Sequence, residues 1–178
     1  AKVSGEMVEF DHFVTPNQAR NAALQRAEHK KIVFVDHDVF VEPGWLAPLL
    51  NCAEETDAAI VMPLIFEGRP ACKRIHMAGG TSSIYTNKKG LRLRDEIHHL
   101  AHVNIDEIEK PLERQETQLA EFHCLLVDVG WLRENGGRDE QLLSTGEHWD
   151  MSMQARLQGR SIFLEPNSKV TYTPPVEA

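Results

Sequence analysis

Lys31 to Trp45 reads KIVFVDHDVFVEPGW, an apolar run that stops on two aspartates and turns at Pro43-Gly44. Ile32, Val33, Phe34 and Val35 are consecutive β-formers without alternation, the pattern of a parallel strand buried on both faces. Asp36 and Asp38 therefore follow its carboxyl end. In open α/β sheets ligands bind along that edge, and two carboxylates there can hold a divalent cation and, through it, a diphosphate. Aspartate is also a common turn former, so an isolated D-x-D is more often the polar end of a strand. The surrounding sequence has to decide between the two.

Upstream, Met7 to Phe10 reads as a short strand and Asp11 to Val14 as a loop. A helix from Asn17 to about Glu28 follows, with Thr15 as N-cap, Pro16 at the first position and Gln18 completing a capping box. Ala19, Ala22, Ala23 and Ala27 would form a small-residue face against a sheet. Downstream, Gly44 and Trp45 open a second helix with Leu46, Leu49, Leu50 and Ala53 at helical spacing, ending near Glu55 to Asp57. Ala58 to Leu64 is the next short apolar run. Strand, helix, strand, helix, strand in succession predicts an α/β sheet with parallel pairings.

From Phe66 to Gln118 no period is sustained, and the segment reads as irregular, with hairpin-like pieces at Ile75 to Tyr85 and a charged, helical part near Asp106 to Gln118. Phe122 to Val129 is a further strand. Trp131 to Asn135 is a helical turn stopped by Asn135-Gly136-Gly137. Glu147 to Gln158 is a helix closed by Gly159, with Trp149, Met153 and Leu157 as its inward stripe. Ser161 to Leu164 and Lys169 to Tyr172 complete the chain as strands around Pro166.

At 178 residues and 42% hydrophobic, the chain can bury one substantial core. A net charge of −8 argues against a nucleic-acid binder, which gains affinity from an excess of Lys and Arg. A phosphate-bearing ligand would need a metal or a local basic group. Cys52, Cys72 and Cys124 form no C-x-x-C pair, so neither a disulfide framework nor a zinc ribbon is indicated, and a reducing, cytoplasmic setting fits.

The ordered series of motifs resembles the family 2 glycosyltransferases, which have the GT-A fold. The likeness rests on Ala19-Arg20-Asn21 ahead of the strand into Asp36-His37-Asp38, then Pro43-Gly44-Trp45-Leu46 and Gly136-Gly137-Arg138-Asp139-Glu140. It continues through Glu147-His148-Trp149-Asp150, Arg156 and Gly159, and so spans about Met7 to Tyr172. Each motif is weak alone; their order and separation make the set fairly specific. The resemblance implies an α/β, GT-A-like mixed sheet, mainly parallel and flanked by helices, in one domain over residues 1–178. It further implies that this domain is partial at its amino-terminal side, since about 60 residues, two strand–helix–strand units, have no counterpart ahead of Met7.

The same resemblance implies an enzyme that moves a sugar from a nucleotide-diphosphate donor, a UDP-sugar in particular, to a hydroxyl of a carbohydrate or glycan acceptor with inversion. Asp38 matches the aspartate that binds Mg²⁺ or Mn²⁺, Asp36 the one facing the nucleotide, and Arg20 a residue near the nucleotide pocket. Glu147, His148 and Asp150 match the region that supplies the base, and a neutral imidazole at His148 could accept a proton near pH 7 as well as either carboxylate. The family's metal-binding histidine after the last strand is replaced here by Thr171 or Tyr172. Peripheral association with the inner face of the membrane and homo-oligomerisation are compatible with the likeness, and nucleic acid is not an expected partner. The alternative is a non-catalytic GT-A relative serving as a binding or assembly module. A nucleotidyltransferase is less favoured, because no Gly-rich phosphate loop is present.

Several other residues invite a metal reading. His98 and His102 stand a helical turn apart and could share a cation, but a solvated helix face is the commoner outcome. His123-Cys124 and Cys72 to His76 are weaker candidates, with Cys124 read as a small buried hydrophobe. Acidic residues in a first helical turn complement the helix dipole, which is an ordinary reason for Glu147 and Asp150.

Overall fold

The structure is a computed structural model that describes residues 8–143 and 146–174. Its helices are α1 (Pro16–Arg26), α2 (Leu46–Thr56), α3 (Val129–Glu134) and α4 (Glu147–Leu157). The strands are β1 (Lys31–Val35), β2 (Val39–Val41), β3 (Ile60–Glu67), β4 (Ile75–Met77) and β5 (Gly80–Thr86), then β6 (Arg92–His98), β7 (Gln115–Thr117), β8 (Cys124–Asp128) and β9 (Ile162–Tyr172). Among the described residues, seven strands make one mixed sheet in the order β1-β8-β3-β9-β2, with β4 on β3 and β7 on β9. β5 and β6 pair separately as a hairpin.

The spine of the sheet is β3 against β9, parallel over eight residue pairs from Ile60–Ile162 to Glu67–Tyr172. All eight residues of β3 are buried, as a continuous apolar run between covered faces demands. Burying one such aliphatic side chain contributes about 1.5–3 kcal/mol, so this strand anchors the core. β1 shares the direction of β3 and β9, but its immediate neighbour is the antiparallel β8, with Val35 opposite Cys124. The parallel pairing expected of β1 itself is therefore not the one found, and Val35 at its end is exposed. The consequence is functional: the antiparallel register brings the end of β1 beside the start of β8, where Asp36 N–H donates to the His123 carbonyl at 3.1 Å.

Local signals set the helix ends. Thr15 Oγ1 accepts from Gln18 N–H and the Gln18 side chain accepts from Thr15 N–H, the capping box expected for α1. The inward face of α1 is not its alanines, however, but Asn17, Arg20 and Leu24, and Ala23 is exposed. Likewise α4 buries Glu147, Met151, Ser152 and Ala155, whereas Leu157, expected inside, is 79% exposed. In both helices polar side chains have the inward positions because they meet other polar groups there.

Other expectations shift in boundary or type. Residues 8–10 form no strand, and Met7 lies outside the described residues. A short strand, β2, follows the two aspartates and pairs antiparallel with β9, Val39 opposite Tyr172. The middle segment holds the β5–β6 hairpin, a 3₁₀ turn at Ile105–Glu107 and β7, with no helix over 108–118. His98 ends a strand and His102 sits in a turn with φ of 67°, so the two share no helix face. The two terminal strands are one, β9, whose register with β3 shifts between Pro63 and Leu64 as the chain passes Pro166.

Candidate functional site

The two aspartates lie in the turn between β1 and β2. Val39 N–H donates to the Asp36 carbonyl at 3.2 Å, and the Asp38 carbonyl accepts from Thr173 N–H at 2.8 Å and Thr173 Oγ1 at 2.6 Å. Both ends of the D-x-D are thus held by backbone, one against β8 and the other just beyond β9. Asp38 Oδ1 is buried and has no hydrogen-bond partner among the described residues. An ionised oxygen in that position calls for a cationic partner. Ligand atoms of Asp36, Asp38 and His123 all lie within 4.8 Å of one another, which gives such a cation three donors.

Arg20 joins the halves of the site. It is buried, its guanidinium carbon sits 3.7 Å from the centroid of the Phe122 ring, and Nη1 donates to Asn17 Oδ1 at 3.2 Å. From there Nη2 lies 3.3 Å from Asp36 Oδ1 and Nη1 lies 3.5 Å from Glu147 Oε1. One arginine therefore faces a carboxylate on each side, and the aromatic ring under it fixes its plane. Glu147 Oε2 is buried without a partner among the described residues.

Residues 136–140 dock on α1. Asn21 Nδ2 donates to the Arg138 carbonyl at 2.9 Å and to Glu140 Oε1 at 2.8 Å, while Asn17 Nδ2 donates to the Asp139 carbonyl at 2.8 Å. Gly137 has φ of 82°, and a Cβ there would lie 2.6 Å from Asn21 Oδ1. Only glycine allows that approach. The Arg138 side chain is fully buried and reaches α4, with Nη2 donating to the Glu147 carbonyl at 3.0 Å and to Asp150 Oδ2 at 2.8 Å. Burial works against its charge and lowers its pKa from the ordinary arginine value, with Asp150 opposing that shift.

A cavity of about 350 Å³ opens between these elements, and Asp36, Glu121, His123, Glu147 and His148 line it. Of the six residues singled out in the sequence, Asp36, Glu147 and His148 line this cavity, and Arg20 holds two of them from behind. Asp38 stands beside Asp36 and His123. Asp150 lines the neighbouring cavity of about 540 Å³ with Trp149 and Arg92, and is engaged by Arg138 and Gln154, the latter at 2.8 Å. His148 Nε2 lies 3.3 Å from Glu96 Oε2 of the β5–β6 hairpin, which thereby closes one side of the site.

Sequence reasoning missed Glu121 and ranked His76 and His123 only as weak metal candidates. His76 Nε2 lies 2.9 Å from Glu121 Oε2 and its Nδ1 3.3 Å from Glu67 Oε2. The His123 ring stacks on Tyr172 with centroids 4.0 Å apart. Burial alone would raise the Glu121 carboxyl; the His76 hydrogen bond and the charges of His123, His76 and His98 outweigh it and hold the pKa at about 2. Burial would lower the His76 imidazole, yet Glu121 and Glu67 raise it above the usual histidine value. Burial pushes the Cys124 thiol up to about 12, so it is an inert core group. His123 was visible only as a neighbour of that cysteine, because its meeting with Asp36 depends on antiparallel register rather than on spacing.

No helix among the described residues is long and apolar enough to cross a membrane. No curated protein matches the chain. Among solved structures, the fold is similar to that of GalNAc-T7 with UDP, GalNAc and Mn²⁺, with a TM-score of 0.66 at 18% identity over 94% of this chain and 32% of that one. It is also similar to S. aureus TarS 1-349 in complex with UDP, with a TM-score of 0.54 at 18% identity over 90% of this chain and 40% of that one. The chain thus spans 32% to 40% of the length of these relatives, and the likeness is one of fold, the GT-A arrangement. Residues 10–106 match the family described as Glycosyl transferase family 2. That match runs over more than half of the sequence and includes the β1 strand, both aspartates and the β5–β6 hairpin, and it makes this chain a member of glycosyl transferase family 2.

Proposed function

We propose that the chain is a metal-dependent, inverting glycosyltransferase domain that moves a sugar from a nucleotide-diphosphate donor to a hydroxyl of a carbohydrate or glycan acceptor. The observation that carries the reading is Arg20, buried between Asp36 and Glu147, because it ties the proposed donor side to the proposed acceptor side at fixed distance. UDP is the favoured nucleotide, since the GalNAc-T7 and TarS structures both contain it.

In this reading Asp38, with Asp36 beside it, would hold Mg²⁺ or Mn²⁺; the unpartnered Asp38 Oδ1 fits such an ion. A bound divalent cation supplies neutralisation of the diphosphate charge that grows as the nucleotide leaves. Asp36 faces the nucleotide and is kept in place by Arg20. Attack by the acceptor hydroxyl in a single displacement inverts the anomeric carbon and requires a base on the acceptor side. His148 takes that proton, with Glu96 orienting its ring from the hairpin. Glu147 is neutralised by Arg20 and sets the angle of α4, and Asp150, already hydrogen-bonded to Arg138, positions the same helix.

The reading is tested by UDP release from UDP-sugars with Mn²⁺ and mixed glycan acceptors. His148→Gln should lower kcat by 10²-fold or more, the scale of general-base catalysis, with little change in KM for the donor. An unchanged kcat would remove His148 from proton transfer, and a wild-type chain that released no UDP from any donor would remove the transferase reading.

A further inference from the structure

We propose that His76, Glu121 and His123 form a second cation site, selective for zinc-like transition metals and separate from the aspartate pair. Their ligand atoms all lie within 4.8 Å of one another. His76 Nε2 is 2.9 Å, and His123 Nε2 3.7 Å, from Glu121 Oε2. Ligands bound tetrahedrally to zinc at its usual ~2.0–2.1 Å stand roughly 3.3 Å apart, so these separations bracket what the ion needs.

The groups that surround these three side chains make the cluster more than a chance meeting of polar groups. Each histidine has a carboxylate toward Nδ1 and presents Nε2 to Glu121: Glu67 Oε2 stands 3.3 Å from His76 Nδ1, and Asp36 Oδ2 stands 3.7 Å from His123 Nδ1. At His76 this is a hydrogen bond, and a carboxylate on Nδ1 fixes the tautomer that leaves the Nε2 lone pair for a metal. His123 Nδ1 is buried with no hydrogen-bond partner among the described residues, and Asp36 is the carboxylate nearest to receive its N–H. Glu67 is itself bonded to His102 Nδ1 at 2.6 Å and Arg74 Nε at 2.8 Å, so its position is set from outside the cluster. Tyr172 stacks on His123 and lies 5.4 Å, centroid to centroid, from His76, which holds both rings in place. The groups come from four places in the sheet: the end of β3, the middle of β4, the approach to β8 and the end of β9.

Two imidazoles and one carboxylate are a His₂Glu set, which suits Zn²⁺, Co²⁺ or Mn²⁺ and leaves a coordination position open. Mg²⁺, which prefers oxygen and water, is poorly served. His123 has one neutral lone pair to offer, so with Nε2 on this ion its Nδ1–H turns to Asp36 as a hydrogen-bond donor. Two of the three ligands, Glu121 and His123, line the cavity shared by Asp36, Glu147 and His148. The inference does not rest on the transferase reading and can fail separately from it.

The test is calorimetry of Zn²⁺ into the full chain after removal of metal by a chelator, with visible absorption of the Co²⁺ form as a second readout. One equivalent is expected to bind in the presence of excess Mg²⁺. His76→Gln and Glu121→Gln should each weaken Zn²⁺ at least 100-fold, and Glu67→Gln about 10-fold through loss of orientation. Asp38→Asn should leave Zn²⁺ affinity unchanged. Circular dichroism shows whether each variant is folded. Pulsed EPR of the wild-type chain with one equivalent of Cu²⁺ needs no variant, and is expected to count two imidazole ligands. Unchanged Zn²⁺ affinity in folded His76→Gln would overturn the proposal. So would loss of Zn²⁺ in Asp38→Asn, or a single coordinated imidazole, either of which assigns the ion to the aspartate pair.

Discussion

Asn21 and Arg138 are hydrogen-bonded reciprocally: Asn21 Nδ2 donates to the Arg138 carbonyl at 2.9 Å, and Asn21 Oδ1 accepts from Arg138 N–H at 2.7 Å. The amide thereby replaces a strand neighbour for a stretch of backbone that has none. It also fixes α1, which carries Arg20, to the segment that carries Arg138 toward α4. Asn21→Ala would leave both backbone groups of Arg138 without this partner, at a cost of about 1–3 kcal/mol. Urea unfolding should show the loss in the midpoint with an unchanged slope.

Arg20 combines a ring contact with two carboxylates, so its shape matters as well as its charge. Arg20→Lys keeps the charge but not the flat fork. It should cost about 1–2 kcal/mol from the ring contact and raise KM for the donor in the UDP-release assay. A lysine variant equal to wild type in both would show that the arginine acts as a point charge only.

Asp128 caps α3 and pairs with Lys31, its Oδ1 accepting from Trp131 N–H at 2.7 Å and its Oδ2 lying 3.0 Å from Lys31 Nζ. Burial alone would raise its pKa; the Trp131 N–H and Lys31 outweigh that and lower it below the ordinary aspartate value. A depressed carboxyl contributes stability above its unfolded pKa, near ~3.9, and loses it as pH falls through the lower folded value. Asp128→Ala should therefore be less stable than wild type by about 1 kcal/mol at pH 7. The gap should narrow below about pH 4, a trend that thermal melts at several pH values would show. A gap independent of pH would assign the effect to neutral capping alone.

Local chemistry made much of this legible in the sequence. Thr15, Pro16 and Gln18 marked the start of α1 because a capping box is complete within four residues. Ile32 to Val35 marked β1, and Ala58 to Leu64 most of β3, because burial demands apolar runs. What depends on partners was not legible. The inward face of α1 reads as polar and would be scored as solvent-facing, yet Asn17 and Arg20 are buried by Asp139, Phe122 and Glu147 from distant segments. His76 and His123 were passed over in favour of His98 and His102, since spacing reports helical neighbours and these ligands converge across a sheet. The hairpin-like pieces expected at Ile75 to Tyr85 cover β4 and most of β5, but β6 hid in the polar segment because almost all of its side chains are exposed.

The central claim is that the aspartate turn binds a nucleotide diphosphate through a divalent cation, and calorimetry of UDP in the presence of Mn²⁺ tests it most directly. Wild-type chain should bind UDP only when Mn²⁺ is present, and Asp38→Asn should lose that binding while melting cooperatively as a folded protein. UDP binding that is the same with and without Mn²⁺, or the same in Asp38→Asn as in wild type, would contradict it.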